Sequence, residues 1–252
     1  MFTLTVSAYQ VLWERLALPQ MPIELMVSPR GIEEHERRAE LANGLEELRT
    51  NGFLYREEPH PELAEALWLL AHAECSVDGR LWVDRHVRAL AVRARGRAVL
   101  GVLADDLFTV QRIEPGDLAR AVVSVLPPLA AGAGQSVSVP REVLGAAAQS
   151  AGDSEWALVD ALTAGGVPSG DARRLGSMVR GRSNGAQFGV TTADGAGKPR
   201  RADRVIACFD TPAGRYMMEE QRGWTTVAPA DVRRLATRID QLLAELVSRS
   251  RP

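Results

Sequence analysis

Long apolar runs are missing from this 252-residue chain, and with them any segment that reads as a membrane span. The opening MFTLTVSAYQVLWERLAL has no basic residue ahead of its apolar positions and is interrupted by Glu14 and Arg15, so no secretory signal is read there and a cytoplasmic location is expected. Cysteine is almost absent. Cys75 and Cys208 stand far apart among apolar neighbours, which excludes a disulfide framework and a thiolate metal cluster and predicts two small buried hydrophobes. Charge of one sign is lacking too: thirty basic against thirty-two acidic side chains leave a formal charge of -2, no global field for drawing in nucleic acid or anionic lipid. Aromatic residues are only 5% and none interleaves the arginine-rich loops, so a stacking platform for bases is missing as well.

Catalytic grammar is equally thin. His35, His60, His72 and His86 have no paired-ligand spacing, and no serine sits in a Gly-x-Ser-x-Gly elbow. Gly195-Ala196-Gly197-Lys198 looks like the end of a phosphate loop, but Thr192 occupies the required first glycine position and Pro199 replaces the magnesium-holding hydroxyl. The acid pairs Asp105-Asp106 and Glu219-Glu220 fall where turns and strand ends would solvate them. No catalytic residue, cofactor or metal is expected.

What is present, 46% hydrophobic and 25% charged residues, is the balance of a soluble globular protein. Thr5 caps a predicted helix to Leu16; a charged helix over 32–49 has Ile32, Ala39, Leu45 and Leu48 as its buried stripe; Pro61 opens a third. Then CSVDGRLWVD, HVRALAVRA, RAVLGVLA and LFTVQRI, punctuated at Asp78-Gly79, Arg95-Gly96 and Asp105-Asp106, read as an antiparallel meander. A helix from Pro115 to Leu126 follows, and then the small-residue stretch PPLAAGAGQSVSVP as a connection. Helices are predicted over 141–149, 154–164 and 171–180. Next come the strands AQFGVTT, RVIACF, GRYMME and WTTVA, with a polar loop from Asp194 to Arg201, and a long amphipathic helix from Pro229 to Val247. Trp224 and Tyr216, with Leu235, Ile239 and Leu242, are expected to pack that last helix onto the sheet.

The two halves end alike. A strand leads into Pro115-Gly116-Asp117 in one and Pro229-Ala230-Asp231 in the other, and each opens a helix. The reading is an α+β, pseudo-twofold duplicated domain with a central antiparallel β-sheet flanked by helices. Residues 1–127 and 140–252 are its halves, residues 128–139 the connection, and the sheets join either edge to edge or face to face.

The run RVIACFDTPAGRYMMEEQRGWTTVAPADV resembles the C-terminal signature of the EspG family of ESX (type VII) secretion chaperones through Asp210, Thr211, Gly214, Arg215, Tyr216, Trp224, Pro229 and Asp231. The opening LTVSAYQVLWERLALPQMPIEL is similar to that family's first helix. The resemblance implies a single EspG-like domain over 1–252 and a cytosolic protein-binding module without catalytic activity. Its partner would be a PE-PPE-like secreted heterodimer, whose PPE-like subunit is held by its helical tip and kept soluble for export. It places the contact on the central sheet, the adjoining loops and the C-terminal helical part. No nucleic acid or membrane partner is expected, and a weak homo-oligomer is left open. Basic residues cluster in two loops, Arg93, Arg95 and Arg97 and then Lys198, Arg200 and Arg201, which are the candidate partner-binding residues. Two alternatives stand beside this reading: a small-molecule-binding protein or enzyme with its pocket between the halves, and a nucleic-acid-binding module using the arginine loops.

Overall fold

The structure, a computed structural model, describes residues 1–28, 33–152 and 154–250. The first half runs β1 (Phe2–Thr5), α1 (Val6–Arg15), α2 (Glu34–Thr50), the small hairpin β2 (Leu54–Tyr55) and β3 (Glu58–Pro59), α3 (Pro61–Ala71), β4 (Cys75–Val83), β5 (Arg85–Ala94), β6 (Arg97–Ala104), β7 (Leu107–Ile113) and α4 (Leu118–Val123). The second repeats the plan: β8 (Val137–Pro140), α5 (Arg141–Ala151), α6 (Glu155–Ala164), α7 (Ser169–Val179), β9 (Gly185–Ala193), β10 (Pro199–Arg201), β11 (Ile206–Thr211), β12 (Gly214–Gln221), β13 (Trp224–Pro229) and α8 (Val232–Ser250).

Eleven strands of the described residues form one antiparallel sheet in the order β1-β7-β6-β5-β4-β9-β11-β12-β13-β8, with β10 folded back on β9. Read outward from its middle, each half has the same order, a four-strand meander closed by the short strand that begins that half. The halves join edge to edge through β4 and β9, whose register runs from Cys75 opposite Thr192 to Trp82 opposite Gly185. The junction saturates two strand edges that either half alone would expose.

Several elements differ from the sequence reading for local reasons. Asp78-Gly79 is no turn; it lies inside β4, where Cys75, Val77, Leu81 and Val83 keep one buried face, and the chain reverses at Asp84 with φ 54°. The carboxylate of Asp78 is saturated across strands by Arg201 at 2.5 and 2.9 Å, so it has no need of a turn's backbone. Pro115 and Pro229 do not start helices. Pro229 ends β13, and Asp231 caps α8 by accepting the Arg234 N–H at 2.8 Å. The loop over 194–201 contains β10, the connection ends in β8 from Val137, and Ala39 is exposed on α2 rather than part of a buried stripe. Ile32, also assigned to that stripe, lies outside the described residues.

One sheet face is covered by α4 and α8 over a continuous core that includes Val77, Phe188, Ile206, Cys208, Leu235, Ile239 and Leu242. Tyr216 is buried on the opposite face, and Trp224 is 51% exposed, so neither packs α8 onto the sheet as expected. Strand alternation decides this: Met217, not Tyr216, points toward α8. The opposite face has two separate lobes. α1 and α3 cover the first-half strands around Leu4, Tyr9, Leu67, Val92 and Phe108. α5, α6 and α7 cover the outer strands of the second half around Val139, Leu162, Leu175, Phe209 and Tyr216.

Candidate partner-binding face

Between these lobes the middle of the sheet is open. Side chains that oppose one another in an antiparallel register share a face. One such row crosses the strip from Arg88 on β5 through Arg80 on β4, Gln187 on β9 and Ala207 on β11 to Met218 on β12 and Val227 on β13. Arg80 and Gln187 are exposed, as is Trp82, whose ring lies edge-on to His86 at 5.3 Å. The row ends in a cleft of about 830 Å³ between the sheet and α5–α7. Leu144, Leu158, Phe209, Met218 and Val227 make its walls apolar, while Gly145, Ala148 and Gly152 keep the helices from filling it. Its mouth is charged: Arg141 pairs with Glu220 at 3.1 Å and Arg180 with Glu155 at 3.6 Å. Among the described residues the buried hydroxyl of Thr225, on the cleft wall, has no hydrogen-bond partner. This cleft lies within the second half, not between the halves.

The signature residues of the C-terminal run build the structure beside this face. Arg215, fully buried, donates to Asp210 at 2.6 and 2.9 Å and to the Pro127 carbonyl at 2.9 Å. Its backbone N–H donates to Ala130, its carbonyl accepts from Gly132, and the Tyr216 hydroxyl donates to Ala133 at 3.0 Å. Gly214, at φ 119°, lies so close to Gly132 that an added Cβ would come within 2.7 Å of its backbone. Thr211 closes the β11–β12 turn by accepting from Ala213 and donating to Gly214. These residues pin the connection against the sheet. A buried pair of this kind is costly to break from one side, which explains its fixed geometry without a catalytic role.

The five arginines and one lysine singled out in the loops share one end of the sheet but not one face. Arg93 and Arg200 stand in a row with Cys75 and Thr192 on the α4–α8 side; Arg93 donates to the Pro115 carbonyl at 3.4 Å and Arg200 to that of Arg249 at 3.1 Å. Arg201 is on the opposite face with Asp78 and Glu24. Arg95 stacks over Trp68 at 4.2 Å, Arg97 pairs with Glu65, and Lys198 is exposed at the tip of the β9–β10 hairpin. The two loops are not counterparts in the repeat, because the turn corresponding to Arg95-Gly96 is Pro212-Ala213 between β11 and β12. Sequence reasoning looked for charge in turns and so passed over Arg80 and Arg88. Their signal was the alternation Ser76, Asp78, Arg80, Trp82 along a strand whose other face is apolar.

Burial pushes the Cys208 thiol up to about 12 and raises that of Cys75, so both are poor thiolates at neutral pH. No group of three or more His, Cys, Asp or Glu residues able to hold a metal occurs among the described residues, and no helix among them is long and apolar enough to cross a membrane.

Comparison with known proteins adds an independent line. The model of the EspG family matches residues 5–241. Two relatives called ESX-1 secretion-associated protein EspG1, from Mycolicibacterium smegmatis strains ATCC 700084 / mc(2)155 and MKD8, are each 26% identical over 169 residues, 65% of this chain. The aligned part spans 57% of the length of those relatives. Among solved structures, the Mycobacterium tuberculosis type VII secretion system chaperone EspG5, in complex with a PE25-PPE41 dimer, superposes with a TM-score of 0.76 at 16% identity, covering 96% of this chain and 95% of that one.

Proposed function

This chain belongs to the EspG family, and on that premise we propose that it is a cytosolic chaperone of type VII (ESX) secretion, without catalytic activity, that binds the helical tip of a PPE-like subunit in a PE-PPE-like heterodimer. The observation that carries this reading is the open strip of sheet running into the apolar cleft under α5–α7. An apolar helical tip left in water is an aggregation hazard, and a rigid groove with apolar walls and a charged mouth removes it from solvent while fixing its direction. The shared fold of the EspG5 chaperone, solved with a PE25-PPE41 dimer, supports the same choice of partner class.

In this reading Arg93, Arg95, Arg97, Lys198, Arg200 and Arg201 supply positive charge at one end of the sheet, Arg93 and Arg200 from the α4–α8 face, where charge acts on encounter and orientation more than on residence. The test is co-expression with each PE-PPE-like pair of the source genome followed by co-purification. A cognate pair should leave the column as a stable ternary complex with a buried area of about 1,200 to 2,000 Å². Replacing Arg93, Arg95 and Arg97 together with Glu should slow capture about tenfold at low salt and leave folding intact. Failure of every pair to co-purify with the wild-type protein would remove the chaperone reading.

A further inference from the structure

Two arginines face each other on the floor of the groove without a counter-charge. Arg80 and Arg88 are directly opposite in the β4–β5 register and project from the grooved face. Neither meets a carboxylate among the described residues, although Arg201 on the same side of the sheet is held by Asp78 and Glu24, and elsewhere Arg204 and Arg238 are held by Glu219 and Arg215 by Asp210. The carboxylates of Asp78 and Glu24, on the same side of the sheet, are thus already engaged by Arg201.

Like charges directly opposite on antiparallel strands oppose folding. Arg88 is also half-buried, with the unpartnered hydroxyl of Tyr9 close enough to sense its charge, and burial together with Arg80 depresses its pKa. An isolated chain gains nothing from this arrangement, because a neutral side chain at either position would relieve it. A bound anion would reverse the sign: one carboxylate between two guanidinium forks neutralises the repulsion and supplies charge-assisted hydrogen bonds. Trp82 beside the pair contributes an apolar wall that would strengthen such a contact once water is displaced.

We propose that Arg80 and Arg88 receive an acidic side chain, Asp or Glu, carried by the cargo's helical tip next to its apolar residues, and that this pairing sets which cargo is accepted. The inference rests on the chaperone reading. Geometry fixes where the acid must lie. Met218 at the cleft is three strands from Arg80, about 14 Å at the usual spacing of 4.7–4.9 Å. Two antiparallel helices 8–10 Å apart, each about 10–12 Å across, span that distance. One arm of the hairpin would therefore fill the cleft while the other places its carboxylate over the arginines.

The experiment uses the full chain and a PE-PPE-like pair that the wild-type protein captures. The double variant Arg80→Glu/Arg88→Glu should weaken the equilibrium affinity at least about thirtyfold and flatten its salt dependence. Arg80→Gln/Arg88→Gln should fall between, with thermal stability equal to or above wild type because the internal repulsion is gone. Asp→Lys or Glu→Lys at the responsible tip acid should restore capture by the Glu double variant to within about threefold of wild type, the charge-swap outcome expected of a direct pair. Wild-type affinity in the Glu double variant, or no tip acid able to rescue it, would overturn the proposal while leaving the chaperone reading in place. Competition by inorganic polyphosphate at equal or better affinity than the cargo would reassign the pair to a phosphate-bearing ligand. A wild-type chain that captures no pair removes both readings together.

Discussion

The two lobes on the grooved face stand on equivalent strands and finish differently. In the first, Tyr9 stacks on Phe108 at 4.0 Å and meets Trp13 edge-on at 5.6 Å, and Gly44 lets α2 approach so closely that an added Cβ would lie 2.7 Å from the backbone of Ser7. In the second, the corresponding three helices hold to each other, with the Gly176 backbone against Val159 and Glu155, but stand off the sheet over the cleft. The strand order is the same in both. What differs is side-chain volume at the interface: aromatic rings close the first lobe, whereas Gly145, Ala148 and Gly152 leave the second open. Close packing is the default of an interior, and the half that forgoes it is the one to which the proposed function assigns the partner.

That contrast predicts unequal costs. Phe108→Ala should destabilise by about 3 to 5 kcal/mol, because the ring is fully buried and its loss leaves a dry cavity. Leu158→Ala, on the cleft wall, should cost under about 2 kcal/mol, since water already reaches its surroundings and no sealed void forms. Denaturant unfolding of both variants measures the difference. Equal losses would mean that the second lobe is closed in solution and that the cleft is not standing open for a partner.

A smaller effect tests the core on the other face of the sheet, which both halves share. Cys208 lies under α8, and burial holds its folded pKa near 12, above the ordinary thiol value of about 8.5. The unfolded chain ionises first as pH rises, so this group's stabilisation is complete below about pH 8.5 and is lost progressively up to the folded pKa, by about 1.4 kcal/mol per pH unit. Cys208→Ala should flatten that part of the stability profile between pH 9 and 11. An unchanged slope would show that the thiol is not sequestered from solvent under α8.

The difference between the lobes also separates what was legible in the sequence from what was not. Period located the helices and both meanders, because Leu235, Ile239 and Leu242 or Val87, Ala89 and Ala91 repeat at the spacing of one buried face, whereas punctuation marked turns at Arg95-Gly96 and Asp105-Asp106 but not at Asp78-Gly79. The signature residues pointed to the family, and the structure explains their spacing: Asp210 and Arg215 meet only because Gly214 permits the turn that brings them together. Short edge strands left little trace, since Phe2–Thr5 and Val137–Pro140 are four residues each and continue into helices. The groove left less. It is defined by side chains that do not touch, Arg80 opposite Arg88 and Gly145 facing the cleft, and local patterning reports contacts within an element rather than space between elements. Trp224 was misplaced for a related reason: an aromatic in a strand predicts burial, but its face is set by register, which the sequence alone did not fix.

The finest test of the contrast therefore fills the gap without disturbing the fold. Gly145 sits within α5 and lines the cleft, and a Cβ added there meets nothing within 4 Å. In an exposed helix interior, replacing glycine removes its excess unfolded-state entropy, so Gly145→Leu should stabilise the isolated protein by up to about 1 kcal/mol. The same isobutyl group projects into the space assigned to the cargo's tip, where a packed interface tolerates an added side chain poorly. Capture of a PE-PPE-like pair should consequently fall about tenfold or more while the melting temperature stays level or rises. At Gly176 the identical change should instead destabilise, because a Cβ there would lie 2.7 Å from a Val159 methyl group. Two glycines on one cleft would thus respond in opposite directions, one by blocking a partner and the other by prying apart α6 and α7. Undiminished capture by Gly145→Leu would move the docking site off this cleft and onto the open strip of sheet alone.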